Sequence, residues 1–421
     1  MTKPSAPSSP AGDAPLGVAC LSVSAALGGS EWVLFDFASR ARAHGIEPLV
    51  VLPKPGPLND ALKQAGVPHT VAAAPDDFLE LSQRTMLSAE GMLRFGRGVW
   101  RWSRAIGAEL DRLSTLPAGR PTVLLSNGFK AHLAASLLRG YRRVWHLHEF
   151  PPGRLDAVWK ALAGAIPDAT IAVSHSVADA WRMPRFPAPR VALNGVDTER
   201  FQPALRTHWI HDQLRLPHDA RLIGMPAVFA RWKGHLLVVE AFERIAAELP
   251  EAHLVLVGGP IYDTAAERGY GEELVRRVRR SSLPGPVTAQ PLHDRIHFLK
   301  FQSEPWRLYP EFDLVVHFST RPEPFGRVIV EAMASGVPVI AADAGGPREI
   351  VEHGVTGWLI PPGDVAALGE QLVAALRTDT RAMGQAARRA AQDRFAADRF
   401  ARDVAGVLHG IADWPRRRRG T

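Results

Sequence analysis

Apolar residues along this chain gather into short continuous runs, and between the runs they space out at helical intervals. Runs at Leu16–Val23, Ile46–Leu52, Pro68–Ala73, Thr122–Leu125, Val144–Leu147 and Ala169–Val173 predict strands covered on both faces, as in a parallel sheet. A second series follows at Leu222–Phe229, Ala252–Val257, Arg295–Phe301, Phe312–Phe318 and Val337–Ala342. Helices are expected from the Gly28-Gly29-Ser30-Glu31 turn through Ala43, over Leu87–Leu116, from His235 to about Leu249, over Val328–Met333, and from the N-cap Asp364 to about Gly410. The segment Tyr262–Leu292 reads as an exposed basic helix with a loop.

Strand–helix alternation on this scale is the pattern of α/β folds, and 421 residues are long for one core. We therefore expect two doubly wound domains facing each other across a cleft, with the boundary between Phe201 and Ala220. The expected division is a disordered Pro/Ser/Ala/Gly-rich leader over 1–15, a first domain over 16–205, a second over 206–394, a final helical segment over 395–412 and a basic tail over 413–421.

Composition narrows this only slightly. Hydrophobic residues at 46% and charged residues at 22% are ordinary for a soluble globular chain. No apolar run reaches the length of a membrane span, no secretory signal is read at the start, and a lone Cys20 gives no disulfide framework and no Cys-based zinc site. Cytoplasmic residence is the simple expectation. The net charge of +7 favours acidic partners: phosphorylated substrates, anionic lipid surfaces or nucleic acid. No zinc-finger, basic-zipper or RNA-binding aromatic signature supports nucleic acid. On the Leu87–Leu116 helix, Trp100 lies among Arg97, Arg101, Arg104 and Arg112, which fits a membrane interface or a solvated arginine face with the tryptophan packed on a neighbour. The tail arginines Arg416–Arg419 pose the same choice between anionic lipid and solvent.

Candidate chemistry concentrates between Arg321 and Asp364. Glu323 and Glu331 stand on either side of a helix start, with Pro324 and Gly326 as the lead-in turn, Gly336 placed to end the helix and Pro338 as a stop. The free N–H groups at Phe325, Gly326 and Arg327 make a helix mouth that attracts anions. Carboxylates beside such a mouth suit a ligand carrying both hydroxyls and phosphates. Only seven of the fifty basic residues are lysines, so Lys233 on a strand-to-helix loop beside Gly234 stands out as a compact charge for a phosphate, against the alternative of a solvated loop lysine. Gly28 and Gly29 are either a close-approach loop under a phosphate or acceptor, or an ordinary β–α turn needing positive φ. His146 and His148 share one side of a strand that ends where open α/β sheets bind ligands.

The run Glu323-Pro324-Phe325-Gly326, Glu331-Ala-Met-Ala-Ser-Gly-Val-Pro-Val-Ile-Ala341, the Gly345-Gly346 turn, and Gly354 through Pro361-Pro362-Gly363-Asp364 resemble the paired-glutamate signature of retaining GT-B glycosyltransferases of family 4. The Gly-Gly-x-Glu-like turn at Gly28, the Ser174-His175-Ser176 cap and the Asn194-Gly195-Val196-Asp197 turn are similar to that family's as well.

The resemblance implies a last helix that crosses back to brace the first domain. It implies a nucleotide-sugar donor and a saccharide, lipid-linked or small-molecule acceptor, with no metal or other cofactor. Glu323 is then expected on the sugar hydroxyls, Glu331 on the ribose, Lys233 on the phosphates, Val330 among the donor-binding positions, His148 near sugar and acceptor, and backbone around Phe298–Gln302 on the base. Many relatives carry an arginine five residues before the lysine, where this chain has Val228. Arg231 is the candidate replacement. Two alternatives stand beside an active transferase: a catalytically silent sugar-nucleotide-binding subunit, and a GT-B epimerase or phosphorylase.

Overall fold

The computed structural model describes residues 14–81, 88–113, 121–151, 167–184, 186–259, 269–280 and 292–412. The expected leader lies almost wholly outside these residues, as do the tail arginines Arg416–Arg419 and much of the Tyr262–Leu292 segment.

Two wholly parallel sheets carry the chain. The first contains β1 (Leu16–Leu21), β2 (Ile46–Leu52), β3 (His69–Val71), β4 (Val123–Asn127), β5 (Arg142–Leu147), β6 (Ala169–Ala172) and β7 (Arg190–Val191), in the order 3-2-1-4-5-6-7. The second contains β8 (Arg221–Pro226), β9 (Ala252–Val257), β10 (Ile296–Leu299), β11 (Leu314–His317), β12 (Val339–Ala342) and β13 (Trp358–Ile360), in the order 10-9-8-11-12-13. All six residues of β9 and all four of β11 and β12 are buried, which is why these strands read as unbroken apolar runs. Each sheet reverses its winding once, between β1 and β4 and between β8 and β11. Such a switch point opens a crevice at the carboxyl ends of the strands, and the loops after these four strands hold most of the residues singled out by sequence.

The expected crossing is present, starting two residues later than the expected Phe395. Helix Arg381–Phe395 stops at Ala396, whose extended backbone turns the chain into helix Ala397–Ala412. Phe400, Val404, Leu408 and Ile411 then pack with Val18, Val33 and Phe37 of the first domain. Gly195 permits this turn: a Cβ there would lie 2.6 Å from the Ala397 Cα. Further ties join the two halves. Arg388 Nη1 donates to the carbonyls of Thr198, Phe201 and Ala334, and the Glu349 carboxylate accepts from the N–H groups of His175 and Ser176 at 2.8 and 2.7 Å.

Candidate active site

Lys233 and Glu323 come from the loops after β8 and β11, and glycines force those loops together. Gly234 follows a single 3-10 turn at Arg231–Lys233 with φ of 79°, and a Cβ there would lie 2.0 Å from the Phe318 carbonyl oxygen. The Thr320 N–H donates to the Trp232 carbonyl at 2.7 Å, locking the two loops. Glu323 is held from the other side: it bridges Gly345, whose φ is 72°, and the Gly346 N–H donates to its carbonyl at 2.8 Å. The Lys233 Nζ then reaches both carboxylate oxygens of Glu323, at 3.0 and 2.9 Å, and stands 4.1 Å from the centre of the Trp232 ring. Ser319 Oγ donates to Glu323 Oε2 at 2.9 Å, and His317 Nε2 lies 3.4 Å from the same oxygen. Burial alone raises the Glu323 carboxyl, but Lys233 and the His317 ring outweigh it and hold the group well below the usual carboxylate range.

Glu331 sits in a different electrostatic setting. Tyr309 donates its hydroxyl to Oε2 at 2.6 Å, and Arg327 Nε donates to Oε1 at 2.8 Å. The same guanidinium donates through Nη1 to Asp36 Oδ2 of the first domain at 2.7 Å and to the Gly195 carbonyl at 3.2 Å. Arg40 bridges Asp36 and Asp197 at 3.4 and 2.8 Å. Burial pushes the Glu331 and Asp36 carboxyls up, with Arg327 opposing, because two buried carboxylates share that guanidinium. Burial in turn depresses Arg327, but its two acidic neighbours outweigh that and keep it charged.

A recess opens between the halves, lined on one side by Gly28, Gly29 and Trp32, and on the other by Val228, Phe301, Gln302 and Glu331. Positive φ is not the reason for the glycine turn. Gly28 has φ of −85°, while a Cβ on it would meet Glu31 Oε2 at 2.6 Å. Gly29 faces open space.

Several sequence expectations change. Val330 is fully buried in the core and does not reach the recess; nearly every residue of its short helix packs inward, leaving Val328 as the apolar residue that lines the opening. The Phe325 ring likewise packs edge-on against Phe395 in the core, so only its backbone belongs to the helix mouth. Gly326, with φ of 109°, begins that mouth, but the Arg327 side chain is committed to Glu331 and Asp36. Arg231 pairs with Glu273 and stands 4.9 Å from the Tyr270 ring centre, whereas Val228 itself lines the recess. His148 lines a separate recess with His132, Trp145 and Trp181. Burial lowers its ring to about 4, leaving it neutral at neutral pH. Its neighbour His146, 4.1 Å away between ring centres, is buried against Phe400 of the crossing helix. Asp36, Tyr309, His317 and Ser319 were not singled out by sequence; a strand-end position of the kind that marks His148 was available for His317. Among the described residues, no three His, Cys, Asp or Glu side chains are placed to hold a metal ion, and no helix is long and apolar enough to cross a membrane.

Known proteins share this layout. The sequence matches the family described as Glycosyl transferases group 1 over residues 208–392 and Glycosyltransferase Family 4 over residues 27–200. It is 31% identical over 177 residues to an N-acetyl-alpha-D-glucosaminyl L-malate synthase of Bacillus anthracis, a match spanning 41% of each chain. It is 26% identical over 306 residues to a GDP-mannose-dependent alpha-mannosyltransferase of Mycobacterium tuberculosis, spanning 66% of this chain and 74% of that one. The chain thus spans less than half the length of the first of these relatives. Among solved structures, Anabaena Alr3699/HepE in complex with UDP-glucose superposes with a TM-score of 0.74 at 26% identity, covering 94% of this chain and 100% of that one. The chain belongs to the group 1 glycosyltransferases of family 4 and has their two-domain GT-B fold.

Proposed function

We propose that this protein is a retaining glycosyltransferase that moves a sugar from a nucleotide-sugar donor to a saccharide, lipid-linked or small-molecule acceptor without a metal ion. The observation that carries the reading is the joint geometry of the β8 and β11 loops, which supply both the Lys233–Glu323 pair and the recess ending at Glu331. A departing nucleoside diphosphate needs fixed positive charge. Lys233 and the N–H groups at Gly326 and Arg327 are the available donors, and their preorganisation removes the reorganisation cost that water would impose. Glu323, held ionised, is suited to accept hydrogen bonds from sugar hydroxyls, and Glu331 from ribose hydroxyls. His148, neutral at neutral pH, has one ring nitrogen able to donate and one able to accept, and its buried Nε2 is without a partner among the described residues. On this reading the chain works in the cytoplasm, with peripheral contact at the anionic inner face of the membrane.

A thermal-shift screen with UDP-, GDP-, ADP- and CDP-sugars tests the donor site, and turnover with the stabilising donor is then measured with and without EDTA. Stabilisation by one nucleotide class and EDTA-insensitive transfer with retained anomeric configuration are expected. No stabilisation by any of them removes the donor reading, and loss restored by added metal removes the metal-free one. The complex of the Anabaena protein with UDP-glucose makes that sugar nucleotide the first donor to try.

A further inference from the structure

The long helix Ala89–Leu113 packs one side into the first domain through Val99, Trp102, Ile106 and Leu110. Its outer side is unusual. Met92, Leu93 and Trp100 are 63%, 70% and 54% exposed, although the same helix buries Trp102 completely. Trp100 is therefore not packed on a neighbouring element. Its ring lies under the Arg104 guanidinium, 5.3 Å away. At about 100° per residue, Leu93 and Trp100 fall within about 20° of each other, and Arg104, Arg97 and Arg101 follow around one side of them within about a quarter-turn. Arg94 lies just beyond and has Asp77 at 3.9 Å; Arg97, Arg101 and Arg104 pair with no carboxylate among the described residues. Between this helix and the short helix Asp76–Glu80, a recess lined by Pro75, Asp77, Arg94, Arg97 and Arg101 runs alongside the stripe.

We propose that this face is the surface by which the protein lies on an anionic phospholipid bilayer. Leu93 and Trp100 enter the headgroup region, while Arg97, Arg101 and Arg104 meet the phosphates. Three observations select a bilayer over water alone or a folded protein partner. Exposed leucine and tryptophan cost free energy in water. Tryptophan under a guanidinium is stable at a wet–apolar boundary. Arg94, Arg97, Arg101 and Arg104 outnumber the exposed carboxylates that border them, Glu90, Asp77 and Asp111, so the face is net basic and complements an anionic surface. The inference gives the peripheral contact proposed above a location and rests on that reading.

Co-sedimentation of the full chain with phosphatidylcholine vesicles, with or without phosphatidylglycerol, tests it. We expect binding only to the phosphatidylglycerol vesicles and weakening with added salt. At about fivefold per arginine, R97Q/R101Q/R104Q lowers the partition coefficient about a hundredfold. L93S/W100S lowers it at least tenfold while leaving the charge intact. Unaltered thermal midpoints and donor-induced shifts show that both variants are folded. Binding by the wild type that both variants retain overturns this surface and leaves membrane contact elsewhere. No binding by the wild type overturns both. Equal binding to neutral vesicles overturns the assignment of the arginines.

Discussion

Lys233 is the counter-ion of a buried carboxylate, so its replacement has two separable effects. The Lys233 and Glu323 side chains are only 14% and 12% exposed, at 2.9 Å from each other. Removing one partner of such a pair leaves an uncompensated buried charge and costs about 3 kcal/mol. For a domain of this size that corresponds to a fall of about 6–12 °C in the melting midpoint. Lys233→Met is thus expected to lose both transfer and stability. Adding Glu323→Gln removes the stranded charge and is expected to recover at least half of the lost midpoint without recovering transfer. A double-mutant cycle by differential scanning calorimetry, run beside a transfer assay, separates the two.

The pH dependence has a definite sign. In the wild type the folded Glu323 carboxyl lies below its unfolded value, so its stabilising contribution is present above the ordinary carboxylate range and lost as pH falls through the folded value. In Lys233→Met burial instead raises this carboxyl, and the penalty is relieved as protons bind. The midpoint difference between wild type and Lys233→Met is expected to narrow from about pH 8 to about pH 5. A gap that stays constant or widens on acidification, or a double variant no more stable than Lys233→Met, would refute the pairing as the source of the cost.

Gly234→Ala is expected to abolish transfer and destabilise the second domain by several kcal/mol, because its Cβ would lie 2.0 Å from the Phe318 carbonyl at a φ of 79°; Gly29→Ala, which faces open space, serves as the contrasting variant in the same melting experiment. Asp36→Asn keeps a group able to accept from Arg327 but removes one of the two carboxylates that share it. The Glu331 carboxyl, raised in the wild type, then falls, and the acid limb of donor affinity, measured by titration calorimetry, is expected to move to lower pH. An acid limb that stays put would show that Asp36 does not tune Glu331.

The strands were legible wherever a run is buried on both faces. Ile46–Leu52 and Ala252–Val257 match their expected bounds. Edge strands were harder. β3 shrinks to His69–Val71, and β13, only Trp358–Ile360, was not foreseen. Three residues carry too little pattern, and β13 exists through its pairing with β12. The glycines were legible as punctuation but not as causes. Of the two readings of Gly28, the positive-φ turn does not hold, and the residue makes room for the Glu31 carboxylate, a contact no propensity encodes.

Site legibility divides in the same way. Glu323, Glu331 and Lys233 each stood out alone, yet their meaning lies in pairings across 90 residues for Lys233 with Glu323 and 291 for Arg327 with Asp36. Those partners decide the chemistry. Glu323 is neutralised inside its own domain by an ammonium and a histidine ring, and its carboxyl is driven down. Glu331, eight positions on, shares a guanidinium with a carboxylate of the other domain, and its carboxyl is driven up. Residues of one type on one short motif thus acquire opposite shifts. Only the second depends on how the two domains meet, because moving Asp36 away from Arg327 gives Glu331 the whole of that charge and leaves the Lys233–Glu323 pair untouched.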